Sequence, residues 1–108
     1  MTQITQTFAA LSDPTRFAIV ERLLTEGEKS AGDLQSTAEI SAPAISRHLK
    51  VLRNAGVIHQ RTAAQKRFYR VSPEAIQGIS AWTMSHREFW ESSMNRLHAA
   101  LMKETTRK

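Results

Sequence analysis

Seven arginine or lysine side chains, Arg47, Lys50, Arg53, Arg61, Lys66, Arg67 and Arg70, fall within the span from Ser41 to Val71. Between Ile40 and Pro73 there is no aspartate or glutamate. The block therefore carries a net +7, the rest of the chain −2, and the whole +5. Charge segregated in this way points to a polyanionic partner. The chemistry available is that of hydrogen-bond donors aimed at bases and phosphates. The planar guanidinium of Arg47 can donate two parallel bonds to a guanine edge, and Ser46 can bond to a base or a phosphate. Lys50 and Arg53 suit phosphates. Ala42 and Pro43 are small enough to let a helix end enter a major groove. Taken alone, Arg47, Lys50 and Arg53 would be equally well explained as a solvated face. The acid-free context and the second basic run behind them favour nucleic acid.

These residues need a helix and a hairpin to position them. Ser41 is a good N-cap and Pro43 sits in the first turn, so a helix is expected from there to Ala55, stopped by Gly56. Ile45, Leu49 and Leu52 recur at i, i+4 and i+7 and define its buried face. Ser30-Ala31-Gly32-Asp33 reads as a capping box, which predicts a short third helix from Ala31 to about Ala38. Two helices joined by a few residues, the second one basic, form a helix-turn-helix over about 30–55. The third helix carries Asp33 in its first turn and a later helix carries Glu74. The basic helix carries no acid there, which suits an approaching phosphate. Val57 to Thr62 and Arg67 to Val71 read as two strands of a hairpin over about 57–71. Ala63-Ala64-Gln65-Lys66 lacks an Asn-Gly or Asp-Gly signal, so a loose tip is expected. Alternation places Phe68 and Arg70 on one face and Arg67, Tyr69 and Val71 on the other. Only one face can meet DNA, so the tip residues Gln65 and Lys66, with Arg67 at the base, are the expected contacts. Tyr69 is read as core.

Upstream, Ile4, Phe8 and Leu11 suggest an amphipathic helix from Thr2 to Leu11. Asp13-Pro14 starts a second helix, with Phe17, Val20 and Leu24 as its stripe, widened by Ile19 and Leu23, and with Gly27 as its stop. Downstream, Ser72-Pro73-Glu74 starts a last helix expected to run unbroken to about Lys103. Its apolar rhythm is Ile76, Ile79, Thr83, His86, Trp90, Met94, Leu97 and Leu101, and a polar tail follows from Glu104. This helix has more apolar surface than a small core needs. A symmetric dimer interface is therefore expected from about 3–11 and 73–103, drawing on Ile4, Phe8, Ile79, Thr83, His86, Trp90, Met94 and Leu97. Completion of the monomer core by Trp82, Phe89 and Trp90 is the plainer alternative. His86 is read as a hydrogen-bonded packing residue. The sharper possibility is that its protonation changes the relation of two subunits.

At 108 residues the chain is expected to be one small domain. With no cysteine, disulfides, thiol switches and thiolate metal sites are excluded. The first charged side chain is Asp13, and no apolar run approaches the length of a membrane span. A soluble cytoplasmic protein is expected. Neither a phosphate-cradling glycine loop nor a carboxylate pair or His–acid set with a plausible pocket is present, so an enzyme is not expected.

The motifs ALSDPTRFAIVERL (Ala10 to Leu23), ISAPAISRHLKVLRNAGVI (Ile40 to Ile58) and KRFYRVSP (Lys66 to Pro73) resemble those of the ArsR family of winged-helix repressors. AWTMSHREFWESSMNRL (Ala81 to Leu97) looks like the branch with a tryptophan-bearing last helix. The resemblance covers nearly the whole chain. It implies a mainly α fold with a small β-hairpin, a winged helix-turn-helix in the order α-α-α-α-β-β-α with a long C-terminal dimerisation helix. It also implies a homodimer on double-stranded DNA, with the basic helix in the major groove and the wing against the neighbouring minor groove. Many members act on their own operon. Asp13 and Arg16 match a family motif as well, and here they are read as a cap and a local ion pair.

Many relatives sense metals, and this sequence departs from them. Where their third helix carries cysteines, this chain reads GEKSAGDL from Gly27 to Leu34. Their last-helix ligands, aligned on His86, fall on Met84, Leu97 and Ala100, which cannot bind zinc, and His98 misses the pattern by one residue. No metal and no cofactor is expected, and any effector is unknown. The expected function is a dimeric, sequence-specific repressor acting on a pseudo-palindromic operator. The alternative, from a different class, is a winged-helix interaction module for an acidic protein.

Overall fold

The structure, a computed structural model, describes residues 3–37 and 39–105. Helices α1 (Gln3–Leu11) and α2 (Pro14–Glu26) are followed by a two-residue strand β1 (Lys29–Ser30), α3 (Ala31–Gln35) and α4 (Ala42–Asn54). Strands β2 (Ile58–Ala63) and β3 (Lys66–Val71) come next, then α5 (Pro73–Ser85) and α6 (Arg87–Thr105). This is the expected mainly α winged helix-turn-helix, with β1 as an addition. The sheet is antiparallel in the order β1-β3-β2, so the wing's second strand is central. Two residues are too few to show a strand pattern, which is why β1 escapes sequence reading. Thr2, Ala38 and the last three residues of the expected tail lie outside the described residues. The chain divides into two compact units, 1–77 and 78–108.

In the first unit the starts of α2, α3 and α4 are held by the side chains that the sequence promises. Asp13 Oδ2 accepts the Arg16 amide at 3.0 Å, Ser30 Oγ the Asp33 amide at 3.2 Å, and Ser41 Oγ the Ala44 amide at 3.3 Å. Ser72 differs from the expected cap: its hydroxyl donates to Glu74 Oε2 at 2.9 Å. The core is formed by Ile19, Val20 and Leu23 of α2, Leu34, the Ile45, Leu49 and Leu52 stripe of α4, and Val57, Ile58 and Tyr69 of the wing. The stripe expected on α2 is thereby corrected. Phe17 and Leu24 are 49% and 54% exposed, and the inward face is Arg16, Ile19, Val20 and Leu23. Arg16 can lie on that face because its Nε donates to Ala10 O at 2.7 Å. On α1 the buried residues are Thr7 and Ala10, whereas Ile4 is half-buried and Phe8 exposed.

The end of α4 is a Schellman motif. Gly56, at φ +77°, donates its amide to Arg53 O at 3.0 Å, and Val57 donates to Leu52 O at 2.9 Å. Leu52 and Val57, both fully buried, make up its apolar pair. Val57 O then accepts the Ser72 amide at 2.8 Å, so α4 and the base of the wing share one anchor. A side chain at Gly56 would be held in the left-handed region. Gly56→Ala is expected to cost about 1–2 kcal/mol, read as a lower urea midpoint with an unchanged slope.

The wing turn departs from the loose tip expected of it. Ala63 pairs with Lys66, which leaves a two-residue turn in which Ala64 and Gln65 have φ of +50° and +68°. Positive φ at both central positions suits the right-handed twist of a hairpin even without glycine. The twist of the flanking strands has overridden the local preference of Ala and Gln.

The second unit corrects the expectation of one unbroken last helix. The chain leaves α5 at Ser85 and resumes at Arg87. Ser85 Oγ donates to Trp82 O at 2.7 Å, and His86 Nδ1 lies 2.9 Å from the same oxygen. That carbonyl would otherwise take the His86 amide, which turns to Thr83 O at 3.1 Å. Side-chain competition for one backbone acceptor interrupts the ladder. Among the described residues of α6 none is buried: Trp90 is 46%, Met94 63%, Leu97 54% and Leu101 59% exposed.

Candidate nucleic-acid interface

Ala42, Pro43, Ser46, Arg47, Lys50, Arg53 and Asn54 are all exposed. At 100° per residue they occupy an arc of about 140° on α4. The opposite arc holds Ile45, Leu49 and Leu52, each at most 2% exposed. The basic face is thus set by burial of the apolar one, and its direction cannot drift without opening the core. The first turn of α4 has no acid. Pro43 has no amide hydrogen and the Ala44 amide is taken by Ser41 Oγ, so what this turn offers an anion is the Ala42 amide and the positive end of the helix dipole.

Two links that spacing did not disclose hold α4 against the start of α2. His48 Nδ1 lies 3.4 Å from an Arg16 guanidinium nitrogen and 3.9 Å from Asp13 Oδ2. Arg16 and Asp13 therefore lie behind α4. The expected Asp13 cap is present, whereas the direct ion pair expected with Arg16 is not among the close contacts of the described residues. At the tip of the wing, Gln65, Lys66 and Arg67 are exposed. Tyr69 is buried and belongs to the core.

A family model described as a helix-turn-helix domain matches residues 11–61. The HTH-type transcriptional regulator Rv2034 of Mycobacterium tuberculosis is 39% identical over 85 residues, which are 79% of this chain and 76% of that protein. The transcriptional repressor SdpR of Bacillus subtilis is 37% identical over 78 residues, 72% of this chain and 86% of the repressor. Among solved structures, an ArsR family transcriptional regulator, RHA00566, superposes with a TM-score of 0.73 at 29% identity, covering 83% of this chain and 92% of its own. The chain belongs to the ArsR family. It is a DNA-binding transcriptional repressor, and the family is one of regulators rather than enzymes. No helix among the described residues is long and apolar enough to cross a membrane.

Electrostatics behind α4 of this ArsR-family chain make a further expectation. The Asp13 carboxyl is held below the ordinary carboxylate range, first by the Arg16 amide it accepts and then by the positive charge of Arg16 and His48. Because the folded value is the lower one, the stabilisation is fully present above the ordinary aspartate value and is lost as pH falls through the folded value. Asp13→Asn keeps a capping oxygen but no charge. It is expected to melt below the parent at neutral pH and level with it in strong acid, as thermal melts at the two extremes would show.

Proposed function

We propose that the protein binds as a homodimer to a pseudo-palindromic operator, with one α4 in each of two major-groove half-sites about 34–36 Å apart. Within α4, Ser46 and Arg47 read base edges, Ala42 and Pro43 permit close approach, and Lys50 and Arg53 contact phosphates. Gln65, Lys66 and Arg67 at the wing tip lie against the flanking backbone and minor groove. The α5–α6 stripe of Ile79, Thr83, His86, Trp90, Met94 and Leu97, together with Ile4 and Phe8, supplies the dimer contact. The observation that carries this reading is the acid-free basic arc of α4, fixed by the buried stripe behind it. Repression follows from occupancy of a promoter in the cytoplasm, and the absence of cysteine separates this chain from thiolate-based sensing.

Base readers and phosphate contacts differ in what their loss does. Arg47→Ala should cost about 1–3 kcal/mol on the operator and relax preference at one base pair of each half-site. Lys50→Ala should weaken operator and random duplex alike and flatten the salt dependence. Equal loss on both DNAs for both variants would refute the division of labour.

A further inference from the structure

The wing's basic residues do not all stand ready for DNA. Strand register puts His59 with Arg70, Arg61 with Phe68 and Ala63 with Lys66 as facing pairs. Alternation places these three pairs on the sheet face opposite the buried Tyr69. Arg70, Arg61 and Lys66 thus form a basic row on the outer face of the wing. Arg61 sits two residues from the tip pair, about 7 Å along the strand, within an arginine's reach of any backbone that Lys66 meets.

Arg61 is nevertheless engaged. Its Nε donates to Glu28 Oε2 at 2.9 Å and its terminal nitrogen to Glu28 Oε1 at 2.6 Å. Its guanidinium lies 4.7 Å from the centre of the Phe68 ring. A carboxylate gripping both nitrogens takes the fork that a phosphate would take. The backbone around Glu28 is fixed on both sides. Gly27, at φ +84°, donates its amide to Leu23 O at 3.0 Å, and Lys29 pairs with Tyr69 in the sheet. Arg61 holds the Glu28 carboxyl below its ordinary range, with Arg70 contributing, so the acid is charged at neutral pH. An exposed pair of this kind adds little to folding. Its larger effect is on the charge that DNA meets.

We propose that Glu28 acts as an internal phosphate mimic: it withholds Arg61 from DNA and so suppresses the sequence-independent part of binding. The base-reading face of α4 is left untouched. A phosphate contact acts on operator and random DNA alike, so Glu28 lowers the sequence-independent part of the affinity and its salt dependence, and leaves the operator-to-random ratio to α4. The inference rests on the wing tip lying against the DNA backbone.

The test is binding of the full-length protein to a random-sequence duplex across a salt series, with Glu28→Gln, Arg61→Gln, the double variant and Lys66→Ala beside the parent. Glu28→Gln should tighten random binding about three- to tenfold and steepen the log–log salt slope by about 0.9 per subunit. The double variant should return to the parental slope. Arg61→Gln alone should keep that slope, because Arg61 is not on DNA in the parent; a shallower slope there would overturn the proposal without reference to the stability of any Glu28 variant. An unchanged slope in Glu28→Gln, with a reduced one in Lys66→Ala, would overturn the role of Glu28 and leave the wing-tip reading standing. Unchanged slopes in both would overturn both.

Discussion

Met94→Glu is expected to convert the protein from dimer to monomer and to lower operator affinity by about a hundredfold or more. Met94 is 63% exposed in the single chain, and Trp90, Leu97 and Leu101 beside it on α6 are about half exposed. A stripe of large apolar side chains exposed to this degree is one that a second copy would bury symmetrically. A glutamate there leaves the fold of one chain intact but places two uncompensated carboxylates in the shared contact. The loss on DNA follows from geometry. Joining two readers makes the second half-site contact intramolecular, which contributes about 10²–10⁴ in affinity without any new bond. Sedimentation and operator titration measure the two effects separately. A Met94→Glu protein that remained dimeric with parental affinity would remove α6 from the interface.

Leu52→Ala should cost about 2–5 kcal/mol of stability, the range for deleting a buried leucine side chain. Leu52 is fully buried on α4, and its carbonyl accepts the Val57 amide in the motif that ends the helix. The cavity would open under α4 and beside the base of the wing. Stabilities of small domains are about 5–15 kcal/mol, so a large share of the total is at risk. Val51→Ala, at a neighbouring position that is 41% exposed, should cost less than about 1 kcal/mol. Urea titrations of the two variants would give the comparison, and equal midpoints would contradict the assigned core face of α4.

The contrast between those neighbours was readable in advance, since Ile45, Leu49 and Leu52 stand at helical spacing between strong start and stop signals. The basic arc of α4 was legible for the same reason: once the apolar face is known, the exposed face follows. Other features depend on partners that periodicity does not encode. Phe17 and Leu24 suggested a stripe on α2, but Arg16 turns inward to a backbone carbonyl and the register of burial shifts with it. The break between α5 and α6 comes from Ser85 and His86 crowding one oxygen. Hydrophobic spacing runs through that break undisturbed. The tight wing turn is imposed by strand pairing on residues with no preference for it. The Glu28–Arg61 pair joins residues thirty-three apart and had no signal beyond opposite charge.

In the proposed complex the basic arc of α4 and the wing tip read one DNA sequence from a two-fold assembly. The most direct measurement selects bound genomic fragments with the purified protein, then titrates the recovered site and a random duplex over a range of salt. The expected result is an inverted repeat with half-sites one helical turn apart, and a preference over random DNA of about 10³ or more. Both affinities should fall steeply with salt. Recovery of no common sequence, with equal affinity for both duplexes, would contradict the account.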